Sequence, residues 1–258
     1  MIDIQNQPDF RNIPIDKVGI KELQYPIKVR DKLKGLQSTI AKISMFVDLP
    51  HQLKGTHMSR FVEMLNQFRQ QVSLESLTNI LEDMKKTLGA ESSHIEIAFP
   101  YFISKKAPVS GTAGLMDYSC TIIGTSDKYG KTDIILKVAV PVTSVCPCSK
   151  EISKHGAHNQ RGQVLVSAIF KKFIWIEDIV NIVENSASCE LYSVLKREDE
   201  KFVTEHAYDK PMFVEDIVRE VGSELIADTN ITWFSVGAEN FESIHNHSAY
   251  AYLEKGEV

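Results

Sequence analysis

The chain has 258 residues, 43% of them apolar and 24% charged, which is ordinary globular usage; it excludes a disordered or fibrous protein and allows one large domain or two small ones. Against 29 Lys and Arg stand 34 Asp and Glu, and the net charge of -5 argues against a dedicated nucleic-acid or anionic-membrane surface, leaving room for a local basic pocket. No apolar run approaches the roughly 18 residues that span a bilayer, and Met1-Ile-Asp-Ile-Gln-Asn lacks the basic and apolar regions of a signal peptide, so the expected location is the cytoplasm. Four cysteines, Cys120, Cys146, Cys148 and Cys189, are too few to staple a chain of this length, and reduced thiols are expected.

The first predicted element is a hairpin: Tyr25-Pro-Ile-Lys-Val-Arg and Ser38-Thr-Ile-Ala-Lys-Ile-Ser-Met-Phe-Val flank a turn containing Gly35. Over residues 56–70, Met58, Phe61, Val62, Leu65 and Phe68 share one helical face. A second helix takes Ser73 as N-cap, carries Leu74, Leu77, Leu81, Met84 and Leu88 as its stripe, and meets Gly89 where a left-handed residue is wanted. Ile95, Ile97 and Phe99 then alternate with His94, Glu96 and Ala98, and further strands are predicted over 118–124 and 132–142. A polar loop over 147–161 leads to a strand over 162–170 and a helix over 175–183 with Ile176, Ile179, Val180 and Val183 on one face. The last helix opens with Pro211 and carries Val214, Ile217, Val218, Val221 and Leu225, and strands near 231–238 and 248–253 follow. Each half runs strand, strand, helix, helix, strand, strand. The expected fold is therefore α+β: two copies of one unit, with helices on one face of an antiparallel sheet.

The chemistry concentrates in Ser144-Val-Cys-Pro-Cys-Ser-Lys-Glu-Ile-Ser-Lys-His-Gly-Ala-His-Asn-Gln-Arg, which holds two thiols, two imidazoles and several cations. In an extended segment Cys146 and Cys148 project to the same side, and a thiolate with a nearby imidazole suits Zn²⁺; the alternative is a pair of free cysteines beside a polar loop. A second cluster, Glu239-Asn-Phe-Glu-Ser-Ile-His-Asn-His, offers Glu242, His245 and His247 as acids and bases near neutral pH. The run Leu195-Lys-Arg-Glu-Asp-Glu-Lys reads as a solvated turn, although Glu198, Asp199 or Glu200 could complete a metal site. Glu215, early in the last helix, is either helix-end electrostatics or a carboxylate that receives the paired N–H and amino donors of a guanine edge.

Six blocks in order carry a resemblance: Leu49-Pro-His-Gln-Leu-Lys-Gly-Thr-His-Met-Ser-Arg-Phe, Cys146-Pro-Cys-Ser-Lys, Gly156-Ala-His-Asn-Gln-Arg-Gly, Leu195-Lys-Arg-Glu-Asp-Glu, Pro211-Met-Phe-Val-Glu-Asp and Glu242-Ser-Ile-His-Asn-His. On these the chain resembles the prokaryotic type IB GTP cyclohydrolases of the tunnel-fold superfamily. The resemblance implies an N-terminal extension over 1–23 and tandem tunnel-fold units over 24–130 and 131–258. It further implies a homotetramer with sites at subunit interfaces, where residues 56–60 contribute to a pocket formed largely by another chain. The implied reaction takes GTP and water to formate and 7,8-dihydroneopterin triphosphate, the first step of tetrahydrofolate biosynthesis.

Carried over residue by residue, the resemblance makes Cys146, His158 and Glu200 ligands of a divalent metal ion. Zn²⁺ suits this set, and Mn²⁺ or Fe²⁺ are also accepted. Glu215 becomes the anchor of the guanine, and Cys146, Cys148, Glu242, His245 and His247 the catalytic groups. A triphosphate also demands cations, and Arg161 is the first candidate, with Lys150, Lys154, Lys196 and Arg197 behind it. The competing expectations are a variant that ends in a cyclic phosphate, as in archaeal relatives, and a non-catalytic tunnel-fold protein that binds a purine, a pterin or a metal.

Overall fold

The computed structural model describes Gln5, residues 7–68 and residues 74–256. Ser73, expected as an N-cap, and Gln70 lie outside the described residues. The fold divides into two compact units, one formed by the chain up to Pro100 with Thr121–Leu136, the other by Tyr101–Cys120 with the chain from Lys137 onward.

In the first unit, β1 (Ile15–Asp31) and β2 (Gly35–Leu49) form the expected antiparallel hairpin, with Asp31 opposite Gly35. The hairpin starts at Ile15, inside the stretch read from sequence as an extension. Asp31 closes it by accepting the N–H groups of Leu33 and Lys34, and Gly35 supplies the left-handed residue with φ +79°. Alternation buries Ala41, Ile43, Met45, Val47 and Leu49 on one face of β2. β2 pairs with β3 (Ser93–Lys106), placing Ile43 beside Ile97 and Met45 beside Ile95, and the strand order continues through β4 (Ala113–Ser126) to β5 (Thr132–Val145). Two helices, α1 (Met58–Phe68) and α2 (Leu74–Leu88), bury Phe61, Met64, Leu65, Leu77, Ile80, Leu81 and Met84. Each such side chain contributes about 1.5–3 kcal/mol on leaving water. Gly89, at φ +65°, ends α2 as expected.

In the second unit the strand order is β3, β4, β5, β6 (Asn159–Phe170), β8 (Ile231–Asn240) and β9 (Ala249–Gly256), and the short β7 (Cys189–Glu190) pairs with β5. β6 and β8 are antiparallel, with Gly162 opposite Asn240 and Val166 opposite Val236. Val164, Val166 and Ala168 are buried while Leu165 between them stays exposed, so one face of the sheet is covered. Its cover includes α4 (Ile176–Asn185) and α6 (Val214–Ala227), which bury Ile179, Val183, Ile217, Val221 and Leu225. Gly222 lets α6 sit close to β9: an added Cβ would lie 2.4 Å from Leu253 Cδ2.

Four local expectations are corrected. The loop over 147–161 contains a helix, α3 (Pro147–Ile152), and the first residues of β6. Because Pro147 opens a helical turn, Cys146 and Cys148 do not project together from an extended segment. The charge run near Glu200 is the start of α5 (Arg197–Asp209), not a turn. Pro211 precedes the last helix, which begins at Val214, because the Met212 N–H is held by the Val145 carbonyl at 3.0 Å. No helix among the described residues is long and apolar enough to cross a membrane.

Candidate active site

The second unit assembles the chemistry around Val145, at the end of β5. Its side chain packs in a small apolar cluster with Cys189, Ala207, Ala157 and Val203. The Ser188 hydroxyl accepts its N–H at 3.2 Å and its carbonyl accepts from Met212. Five sequence-distant segments therefore meet at one point: the residue before Cys146, the residue before His158, the Ser188–Cys189 segment, the face of α5, and the approach to α6.

Cys146 is the N-cap of α3, and its Sγ accepts the Ser149 N–H at 3.4 Å. Its own N–H donates to the His158 carbonyl at 3.1 Å, and the His158 N–H donates to Ser149 Oγ at 3.2 Å. These bonds hold the thiol and the imidazole segments side by side. The His158 Nδ1 lies 2.8 Å from Gln160 Oε1 and 3.7 Å from Glu242 Oε2. Since Gln160 Nε2 donates to Ser144 Oγ at 2.8 Å, its Oε1 is the atom left to accept from Nδ1–H, which leaves the Nε2 lone pair of His158 available to a cation. Glu242 reaches this position because the Phe241 N–H donates to the Arg161 carbonyl at 3.0 Å, tying the loop after β8 to the start of β6.

On α5, Glu200 shares a face with Val203 and Ala207 by the three- and seven-residue spacing, the face that packs on Val145 and Ala157. Its carboxylate is exposed, whereas neighbouring Asp199 is wholly buried. Asp199 is taken up by structure: it accepts from the N–H groups of Val109, Ser110 and Lys196 and from Ser110 Oγ. Burial alone would push its carboxyl up, but these bonds, that from Ser110 foremost, outweigh burial and hold it well below the ordinary carboxylate range.

Glu215 is the second residue of α6, exposed beside the Met212 tie. Cys148 and Arg161 are exposed, and His245 and His247 stack on one another in the loop between β8 and β9 with ring centroids 5.2 Å apart. Lys150 is engaged with Tyr208, donating to its carbonyl at 2.5 Å and lying 4.2 Å over its ring. The structure thus brings the His158 and Glu242 side chains together directly and ties Cys146 to His158 by a backbone bond. It brings in the elements that carry Glu200, Glu215 and Arg161 by backbone ties and packing. Among the described residues no three His, Cys, Asp or Glu side chains converge closely enough to enclose an ion. The donor chemistry nonetheless fits a divalent metal: a thiol, an imidazole with a free Nε2 and a carboxylate on the facing helix. The residues missed from sequence are Gln160 and Ser144. A strand reading begun four residues earlier, at His158, would have put His158 and Gln160 on one side.

This architecture is shared with proteins of the tunnel fold: uricase from Arthrobacter globiformis aligns with TM-score 0.54 at 7% identity, covering 93% of this chain and 92% of that one, and a uricase from Bacillus fastidious aligns equally well. At such identity the likeness speaks for the fold alone. A family model described as type I GTP cyclohydrolase folE2 matches residues 1–251. GTP cyclohydrolase FolE2 of Desulfosudis oleivorans is 60% identical over 258 residues, covering 100% of this chain and 99% of its own. The FolE2 of Syntrophus aciditrophicus is 60% identical over 255 residues, covering 99% of this chain and 100% of its own. The chain belongs to the type I GTP cyclohydrolase family, FolE2.

Proposed function

We propose that the chain is a metal-dependent GTP cyclohydrolase I of type IB, taking GTP and water to formate and 7,8-dihydroneopterin triphosphate in the cytoplasm, at the head of tetrahydrofolate biosynthesis. Family membership supports the substrate and the reaction class. The observation that carries the reading to this site is the His158 ring, its Nδ1 2.8 Å from Gln160 Oε1 and 3.7 Å from Glu242 Oε2, on the residue whose carbonyl accepts the Cys146 N–H. Cys146, His158 and Glu200 would hold the ion, with Zn²⁺ the best match to the donors and Mn²⁺ or Fe²⁺ accepted by them. A divalent cation bound there would supply Lewis acidity, making a water acidic enough to act as a nucleophile near neutral pH.

The chain's own residues do the rest. The Glu215 carboxylate accepts the N–H and amino group of the guanine edge as two parallel donors, which sets the imidazole ring of GTP over the site. Glu242, His245, His247 and Cys148 carry protons, one of them to the ring nitrogen released when the bond to C8 breaks. Arg161 faces the triphosphate. Glu215, Cys148, Arg161, His245 and His247 are all exposed on the single chain, which favours an assembly in which further subunits wall the site: a homotetramer with sites at its interfaces. Tandem tunnel-fold units over 24–130 and 131–258 belong to the same reading.

Incubation of chelated protein with GTP, with and without Zn²⁺ or Mn²⁺, followed by oxidation and separation of fluorescent neopterins, tests this. Metal-dependent neopterin triphosphate is expected. A cyclic phosphate would place the chain with the variant enzymes, and bound GTP without product would make it a binding protein.

A further inference from the structure

We infer that Gln160 is a positioning residue for the metal-binding histidine: through a buried relay from Ser144 it holds the proton of His158 on Nδ1 and thereby keeps Nε2 free for the ion. The inference rests on the metal-site reading above. A neutral imidazole has one N–H and one lone pair, and the partner of one nitrogen decides which atom carries the proton. At His158 two acceptors face Nδ1, Gln160 Oε1 at 2.8 Å and Glu242 Oε2 at 3.7 Å, and only the first is at hydrogen-bond distance. Gln160 is buried and Ser144 has no solvent exposure, so water does not compete for the amide. The bond from Gln160 Nε2 to Ser144 Oγ, at 2.8 Å, turns the amide so that its oxygen faces the ring.

A histidine that ligates through Nε2 gains in orientation and basicity from an acceptor at Nδ1. Were Gln160 apolar, the nearest acceptor left to the Nδ1–H would be Glu242 Oε2, 3.7 Å away.

The test is the Zn²⁺ affinity of the chelated full-length protein, measured by competition with a chromophoric chelator, alongside thermal unfolding of the metal-free form. Gln160→Met, of similar volume but without the amide acceptor, should weaken Zn²⁺ binding roughly 10–100-fold, the usual effect of losing such a partner. Gln160→Glu, which restores an acceptor oxygen, should recover most of the loss. If Gln160→Met fails to fold, Ser144→Ala carries the test: weakened Zn²⁺ binding supports the relay, and wild-type binding overturns it. Loss of Zn²⁺ in Glu242→Gln but not in Gln160→Met would make Glu242 the orienting partner and overturn the inference. His158→Ala separates the two levels. If it abolishes Zn²⁺ binding while Gln160→Met does not, the relay is wrong and the metal site stands; if His158→Ala itself keeps Zn²⁺, the metal site is wrong.

Discussion

The Cys146 and His158 segments are joined by a backbone bond, from the Cys146 N–H to the His158 carbonyl, which removal of either side chain leaves in place, although removing the thiol also takes the cap from the Ser149 N–H. Cys146→Ala should lose both bound metal and turnover, read by metal content after dialysis and by neopterin fluorescence. Glu215→Ala should instead raise the KM for GTP and leave metal content unchanged, because Glu215 sits on α6 and is the proposed anchor of the guanine edge. A Glu215 variant that loses its metal would contradict that division. At this scale the sequence was legible where residue types are unusual: thiols, imidazoles and carboxylates in short blocks. It was not legible where the group is an ordinary amide. Gln160 and Ser144 matter only through the partners that folding gives them, and nothing in their spacing set them apart from other polar residues.

Among the elements, α5 was hidden in a charge run for a physical reason. Asp199 and Ala207 are its only residues fully buried, so it has little apolar periodicity to read. Its start is secured instead by Asp199 accepting from Val109 and Ser110, far away in the chain. Asp199→Ala should therefore destabilise the fold at neutral pH. Because the folded carboxyl lies below its unfolded value of about 3.9, the stabilisation is present above that value and is lost as pH falls towards the folded one. Urea unfolding across that range should show wild type converging on the variant in acid.

A second case links β3, α4 and β7. Lys105 bridges Glu184, at 2.8 Å, and Glu190, while Tyr118 donates to Glu184 at 2.8 Å. Burial pushes Glu184 up in spite of Lys105, whereas Glu190, also raised by burial, is pulled below its usual value by its bonds from Lys105 and Tyr192. Lys105→Met should cost about 3 kcal/mol at neutral pH by leaving a buried carboxylate without its cation. A carboxyl with a raised folded pKa gives most stability below its unfolded value and loses it as pH rises, so this variant should recover as the solution is acidified. Equal destabilisation at about pH 5 and pH 8 would contradict the account.

For the whole molecule, the alternating strands and paired helices predicted an α+β fold, and the tunnel-fold architecture agrees because period-two and helical stripes are strong in β2, β3, α2 and α6. The exposure of the proposed catalytic loop calls for neighbours. Light scattering should give four times the 29.1 kDa chain mass, and a fully active monomer would contradict interface sites. The most direct test of the central claim, metal-assisted attack at C8 in the centre proposed for Cys146, His158 and Glu200, is to titrate Zn²⁺ into chelated protein with [8-¹³C]GTP and follow ¹³C-formate by NMR. The account predicts formate that rises with Zn²⁺ until the sites fill and none from Cys146→Ala; formate released equally without metal, or equally by that variant, would contradict it.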